Sequence, residues 1–199
     1  MKLNNWEGRD ETFLSNAFDG DAADIGEHLR YDWSQTIMEI GFGNGRLMDT
    51  ISKNLNGGHY FGFDKTKSFV RRAREKNTDE CVHFGLLDIE NLEKLEESIK
   101  LVCPDKLILR YIIEHIPSWK DVLSCINTFK MSSILISIYT EPVEETFSNY
   151  DGKPNKGYLY TRTFFNDKDI DRLLTNYTLA SLSTYKGVDH RLRIYETVK

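Results

Sequence analysis

In the run Thr36-Ile37-Met38-Glu39-Ile40-Gly41-Phe42-Gly43-Asn44-Gly45-Arg46-Leu47, glycine falls at every second position directly after an apolar stretch with an acid near its end. Few folds accommodate that pattern. Bare backbone at 41, 43 and 45 predicts a tight strand-to-helix turn, because glycine reaches left-handed conformations without steric cost and leaves room for a ligand above it. The strand spans residues 36–40 and the helix 45–55, stopped by Asn56-Gly57-Gly58. The N–H groups that open such a helix face whatever lies above the turn. Read alone, the turn admits any nucleotide-like ligand.

The strand–helix pattern then repeats. Residues 59–64 read as a second strand ending on Asp64, and 65–76 as a basic helix with an apolar seam through Phe69, Val70 and Ala73. Residues 81–88 read as a third strand closed by Asp88, followed by a helix over 92–101 with Leu92, Leu95 and Ile99 at helical spacing. Residues 104–110 form a fourth strand, apolar enough to be buried on both faces. Ser118 is placed to cap a helix running to Lys130, with Val122, Leu123, Ile126 and Phe129 inward, and 133–139 is a fifth strand. The stretch 141–163 breaks the alternation with Pro142, Gly152, Pro154 and Gly157. A helix over 165–175 and two closing strands, 177–185 and 191–198, complete the chain. Such alternation predicts an α/β fold, a doubly wound and mostly parallel sheet with helices on both faces. Ligands of these sheets bind beyond the carboxyl ends of the strands, where the glycine turn, Asp64, Asp88 and Arg110 all fall.

Ahead of the first strand, residues 11–18 and 21–30 read as short helices, with Asp10 and Asp19 or Asp21 available as caps. The large rings of Trp6, Phe13, Phe18, Tyr31 and Trp33 leave two readings of residues 1–33: a helical layer packed on the body, or a lid over the ligand. With 199 residues and no repeat or linker, residues 1–199 read as one domain. The net charge of −5 argues against a non-specific binder of nucleic acid or membrane. No apolar run approaches the roughly 18 residues of a membrane helix, and the first residues lack a signal-like apolar core, so a cytoplasmic location is expected. Cys81, Cys103 and Cys125 lack metal-ligand spacing and are expected to be buried as small hydrophobes, with no metal site.

A dinucleotide fingerprint would carry its third glycine at position 46, which is Arg46. The glycines run 41, 43, 45 instead, with Glu39 two residues upstream, and this resembles motif I of the class I S-adenosylmethionine-dependent methyltransferases. The resemblance extends along nearly the whole chain. Asp64 stands where that family's acid holds both ribose hydroxyls, and Asp88 where an acid often meets the adenine amino group. Residues 105–117 look like its fourth-strand segment, with Ile113-Glu114-His115 in place of a Leu-Glu-His-like start. The resemblance implies a Rossmann-like sheet of seven strands in the order 3-2-1-4-5-7-6, the last strand antiparallel, and S-adenosyl-L-methionine as cofactor. It implies cofactor contacts from Glu39, Gly41, Phe42, Gly43, Asn44, Gly45, Asp64, Lys65, Leu87, Asp88, Ile89 and Arg110, with Glu39 supporting the turn rather than doing chemistry. The turn is also similar to that of tRNA guanine-N7 methyltransferases. Their Phe-Pro-Asp-Pro-Trp-like motif is replaced here by Arg110-Tyr111-Ile112-Ile113-Glu114.

Methyl transfer from a sulfonium is an in-line displacement in which holding donor against acceptor supplies most of the rate. A base is needed only when the acceptor sheds a proton. His115 and Tyr139 are the expected catalytic residues, with Glu114, Tyr160 and His190 also near the expected cleft; His115 is also readable as packed in the helix after the fourth strand, and Tyr139 as a border of the acceptor pocket. Residues 141–163 carry Tyr150, Tyr158, Tyr160 and Arg162 and read either as the acceptor-facing insertion or as an ordinary surface hairpin. The basic run 71–76 reads as a solvated helix face. The expected activity is methyl transfer to oxygen or nitrogen of a small-molecule acceptor, by a monomer or homodimer, with neither membrane nor nucleic acid as partner. An RNA or protein methyltransferase and a non-catalytic cofactor-binding subunit are the alternatives.

Overall fold

A computed structural model describes residues 20–30, 34–52, 55–153, 158–185 and 190–198. Among them the chain forms β1 (Thr36–Ile40), β2 (His59–Asp64), β3 (Val82–Leu86), β4 (Lys106–Arg110) and β5 (Ser133–Ile138), then β6 (Phe147–Lys153), β7 (Tyr158–Phe164), β8 (Tyr177–Thr184) and β9 (Arg191–Thr197). The helices are α1 (Gly20–Arg30), α2 (Arg46–Ser52), α3 (Lys67–Lys76), α4 (Leu92–Val102), α5 (Trp119–Asn127) and α6 (Asp167–Leu173), with a 3-10 turn at Ile113–His115. Seven strands share one sheet in the order β3-β2-β1-β4-β5-β9-β8. β1 to β5 pair in parallel and β9 runs antiparallel to β5 and β8. This is the expected seven-strand order, with β6 and β7 set apart as a separate antiparallel pair.

The strand period of two sends alternate residues to opposite faces. Ile37, Ile108, Leu135, Leu192 and Ile194 meet Ala22, Ile25 and Leu29 of α1 and Leu47, Met48 and Ile51 of α2. Met38, Ile40, Leu107, Leu109, Ile134 and Ile136 meet α4, α5 and α6 through Leu95, Ile99, Trp119, Val122, Leu123 and Ile170. β5 is buried along its whole length, which explains its unbroken apolar run.

Strand bounds follow the sequence closely, whereas helix ends do not. α5 stops at Asn127 rather than Lys130, and the Ser118 hydroxyl donates to Glu90 Oε1 at 3.0 Å instead of capping it. Asp21 lies inside α1, not at its cap, with its carboxylate turned toward β4. The expected helix at 11–18 lies outside the described residues. The cysteines correct another expectation: Cys103 is exposed, in a left-handed conformation (φ 50°) at the end of α4, and Cys81 and Cys125 are half-buried. A small side chain that interrupts no apolar stripe is accepted at a helix end as readily as in a core. Among the described residues no helix is long and apolar enough to cross a membrane.

Short α6 is held to β9 by charge as well as by packing. Arg193 donates from Nη1 to Asp167 Oδ2 at 2.6 Å, from Nη2 to Asp171 Oδ1 at 2.5 Å and from Nε to the Tyr195 hydroxyl at 2.7 Å. Arg191 Nη2 lies 2.8 Å from Asp167 Oδ1. Arg193 is 1% exposed, so truncating it opens a cavity beside Tyr195 and removes the cation shared by Asp167 and Asp171, which stay partly solvated. Arg193→Ala is expected to lower unfolding stability by about 2–3 kcal/mol in guanidinium titration, less than for a fully buried pair because the acids are partly solvated, and a loss below about 1 kcal/mol would show that the cluster is not what anchors α6.

Candidate functional site

The carboxyl ends of β1, β2 and β4 and the segment after β3 enclose a cleft of about 160 Å³. Its floor is the glycine turn. Gly41, Gly43 and Gly45 take φ of 80°, 59° and 80°, in the left-handed region that disfavours any side chain. A methyl at Gly41 would come within 2.6 Å of Ile112 Cδ1, whereas one at Gly43 would meet nothing within 4 Å. The bare Gly43 backbone therefore leaves open volume at the floor of the cleft.

One carboxylate ties the turn to the next strand. Asp64 Oδ2 accepts from Gly43 N–H at 3.0 Å and Oδ1 from Thr66 N–H at 2.8 Å. Gly41 N–H meets Phe63 C=O at 2.7 Å, carrying the parallel ladder past the strand ends. The Thr66 hydroxyl adds a third bond, and a carboxylate offers about four lone-pair directions, so roughly one remains on Asp64, which lines the cleft. Burial pushes its carboxyl above the ordinary value, and the Thr66 and Gly43 N–H groups pull it back.

Of the other expected contacts, Phe42, Asn44, Lys65, Leu87, Ile89 and Arg110 line the cleft, and Gly45 closes the turn through its N–H to Phe42 C=O at 3.0 Å. Asp88 is placed differently from its neighbours. It is exposed and outside the lining, and its Oδ1 accepts from Glu90 N–H at 3.2 Å in a local turn, while its neighbours Leu87 and Ile89 face inward. Glu39 sits beneath the floor, 2% exposed, accepting from the Tyr60 hydroxyl at 2.5 Å. Arg110 has a partner that periodicity could not show. Its Nε and Nη2 grip Asp21 Oδ2 and Oδ1 at 3.0 and 2.9 Å, a bidentate pair that fastens α1 across the sheet.

His115 also lines the cleft, together with Tyr111, Ile112 and Ile116, which sequence reading did not single out. Its Nδ1 lies 3.0 Å from the Thr161 carbonyl and its Nε2 3.2 Å from the Tyr139 hydroxyl. Arg162 Nη2 donates to the same hydroxyl at 2.9 Å, with its guanidinium 4.7 Å above the Tyr139 ring. Tyr139 stands behind His115 rather than on the cleft wall. The rings of Tyr111, Tyr139 and His190 form a triangle with centroids 5.3 to 5.9 Å apart. The side chain of Tyr160 lies outside the described residues.

Two buried acids sit close to these groups. Glu39 and Glu114 are both pushed up to about 7 by burial, against the opposing Tyr60 hydrogen bond in one case and the Tyr139 N–H in the other. Glu114 is fully buried, with Oε1 accepting from Tyr139 N–H at 3.3 Å.

Comparison with known proteins bears on this geometry. Residues 37–128 match a family model described as a methyltransferase domain. The protein 235L of Invertebrate iridescent virus 6, which carries a methyltransferase name, is 32% identical over 76 residues, covering 38% of this chain and 28% of the viral protein. The match thus spans little more than a quarter of that relative. An S-adenosylmethionine-dependent methyltransferase from Mesorhizobium loti superposes with a TM-score of 0.68 at 10% identity, over 92% of this chain and 99% of that one. The N-terminal domain of EvdMO1, crystallised with S-adenosylhomocysteine (SAH), superposes with a TM-score of 0.68 at 14% identity, over 98% and 91%. At such identities the superpositions establish the fold.

The pH dependence of stability follows from the raised acids. A carboxyl whose folded value lies above its unfolded one stabilises the fold fully below the unfolded value and loses that contribution as pH rises through the folded value. Glu114 moves from 4.5 to about 7, so on the order of 3 kcal/mol is lost between about pH 4.5 and 7. Thermal melts of wild type and Glu114→Gln across pH 5 to 8 should show the wild type declining more steeply. Parallel curves would mean that Glu114 is ionised throughout.

Proposed function

Residues 37–128 are a methyltransferase domain of the class I family, and from that premise we propose that the chain transfers a methyl group from S-adenosyl-L-methionine to an oxygen or nitrogen of a small molecule. The observation that carries the reading is Asp64. It lines the cleft at the end of β2 with both oxygens anchored by backbone N–H groups. A carboxylate so fixed suits two neighbouring hydroxyls, which an amide in its place would not accept as a pair.

The other residues fit the same ligand. Gly43 leaves bare backbone at the floor, and Leu87, Ile89 and Phe69 supply an apolar wall for a planar base. When bound, S-adenosyl-L-methionine supplies an activated methyl on a sulfonium. The chain's part is to orient, to exclude water and to receive a proton where the acceptor gives one up. His115 and Tyr139 are the groups we assign to that last task, with His115 on the cleft wall and Tyr139 bonded to it. The net charge of −5 and the ring cluster of Tyr111, Tyr139 and His190 favour a small planar acceptor over nucleic acid. We read the chain as one domain, with 141–163 on the acceptor side, where Thr161 and Arg162 reach the His115 region.

Addition of S-adenosylmethionine or SAH at about one hundred times its dissociation constant is expected to raise unfolding stability by about 2.7 kcal/mol, while NAD leaves it unchanged. Asp64→Ala should abolish the shift in the same melt. A shift with NAD alone, or an equal shift in Asp64→Ala, would refute the assignment. A labelled-methyl screen against metabolite pools, run with and without RNA, then reports the acceptor.

A further inference from the structure

The main sheet ends on β3 at one side and on β8 at the other, and an end strand offers unpaired N–H and C=O groups to any further strand. β3 is guarded. Arg74 of α3 donates from Nε and Nη2 to the Phe84 carbonyl on that strand, at 3.0 and 2.5 Å. β8 carries no comparable device among the described residues. Its eight residues include no charge, in a chain where 29% of residues are charged, and Leu179 and Leu182 are 41% and 47% exposed. Charge is thinned out in that way at the core of an interface, not along a solvated edge. We propose that β8 is a homodimer interface. A second copy of the chain adds its own β8 antiparallel to this one, with Leu179 of each copy opposite Leu182 of the other.

A β-bulge is what makes the strand match itself. β8 pairs with β9 as Thr178–Glu196 and Leu179–Tyr195, then as Ser181–Ile194 and Leu182–Arg193, so Ala180 drops out of the count. Without the bulge, Leu179 and Leu182 would face opposite sides of the sheet. With it they share the side of Tyr195 and Arg193, both of which reach Asp171 of α6. Counted without Ala180, the strand reads Thr-Leu-Ser-Leu-Ser from 178 to 183. A two-fold axis through Ser181 then sets Leu179 against Leu182 twice and Thr178 against Ser183 twice, and brings no like charges together along the strand. The leucines of both copies form one apolar cluster on a single face.

The backbone agrees with that register. Val198 N–H bonds to Asn176 C=O and Tyr185 N–H to His190 C=O, so by alternation 178, 181 and 183 turn their backbone groups toward β9. Leu179 and Leu182 turn theirs outward, where each meets the other across the axis. The axis also reverses the second copy, so its cleft opens at the opposite end of the joined sheet and neither cleft is covered. Pairing along one strand is small beside the roughly 800 Å² per partner of a stable interface, so the dimer comes apart on dilution.

Sedimentation velocity on the full chain, from about 1 to about 100 µM, reads the association directly. The expected result is monomer at the low end and dimer at the high end. Leu182→Lys should weaken the dimer at least about tenfold, because it sets a charge within the apolar cluster. Leu179→Glu combined with Leu182→Lys in one chain should recover most of that loss, since each glutamate then lies opposite a lysine of the other copy. Leu101→Lys, at an exposed position on α4, should change nothing. Thermal melts of these surface variants should match wild type, so a lost dimer is not a lost fold. A wild type that stays monomeric to about 100 µM overturns the interface, as does a dimer that Leu182→Lys leaves intact. A double variant no better than Leu182→Lys overturns the two-fold register.

Discussion

Two backbone N–H groups on one carboxylate hold this site together. Asp64 joins the turn after β1, through Gly43, to the turn after β2, through Thr66. Without that bridge the glycine turn would be a loop of residues in left-handed conformations with little to over-determine it. With it, the floor of the cleft is anchored to the parallel ladder, which Gly41 extends to Phe63. Charge-assisted bonds of this kind are about twice as strong as neutral ones, which suits a position that must stay put while ligands come and go.

A second constraint operates across the sheet. Arg110 leaves β4 on the face covered by α1, and the alternation that buries Ile108 there also delivers the guanidinium to Asp21. Asp21 is fully buried and Arg110 nearly so, so the pair is tolerated because both carboxylate oxygens and two guanidinium nitrogens are matched. The helix thereby reaches the rim of the cleft as part of the packed body. The portion of 1–33 that precedes it lies outside the described residues.

What the sequence disclosed was local and periodic. β1 and β2 fall on their expected residues because each is an apolar run ending at a glycine turn or an acid. The cleft could be placed because strand ends carry their own punctuation. Pairings between distant residues left no such mark: Asp21 with Arg110 is separated by 89 positions, and His115 with Thr161 by 46. Asp88 shows the limit of that punctuation. An acid at the end of a strand looks alike whether it faces a ligand or closes an Asx-type turn, and here it closes the turn. A cap residue's partner left no mark either: α5 starts directly after Ser118, yet the Ser118 hydroxyl donates to Glu90.

The separate pairing of β6 with β7 has an evolutionary consequence. The two strands hydrogen-bond to each other and to no strand of the main sheet, yet they hold Thr161 and Arg162 against His115 and Tyr139. The floor is instead tied together by Asp64 with Gly43 and Thr66. On the proposal that this pair faces the acceptor, a lineage replacing it would change the acceptor while leaving the turn that Asp64 anchors intact. Diversity would then accumulate by exchange of appended hairpins rather than by erosion of the glycine floor.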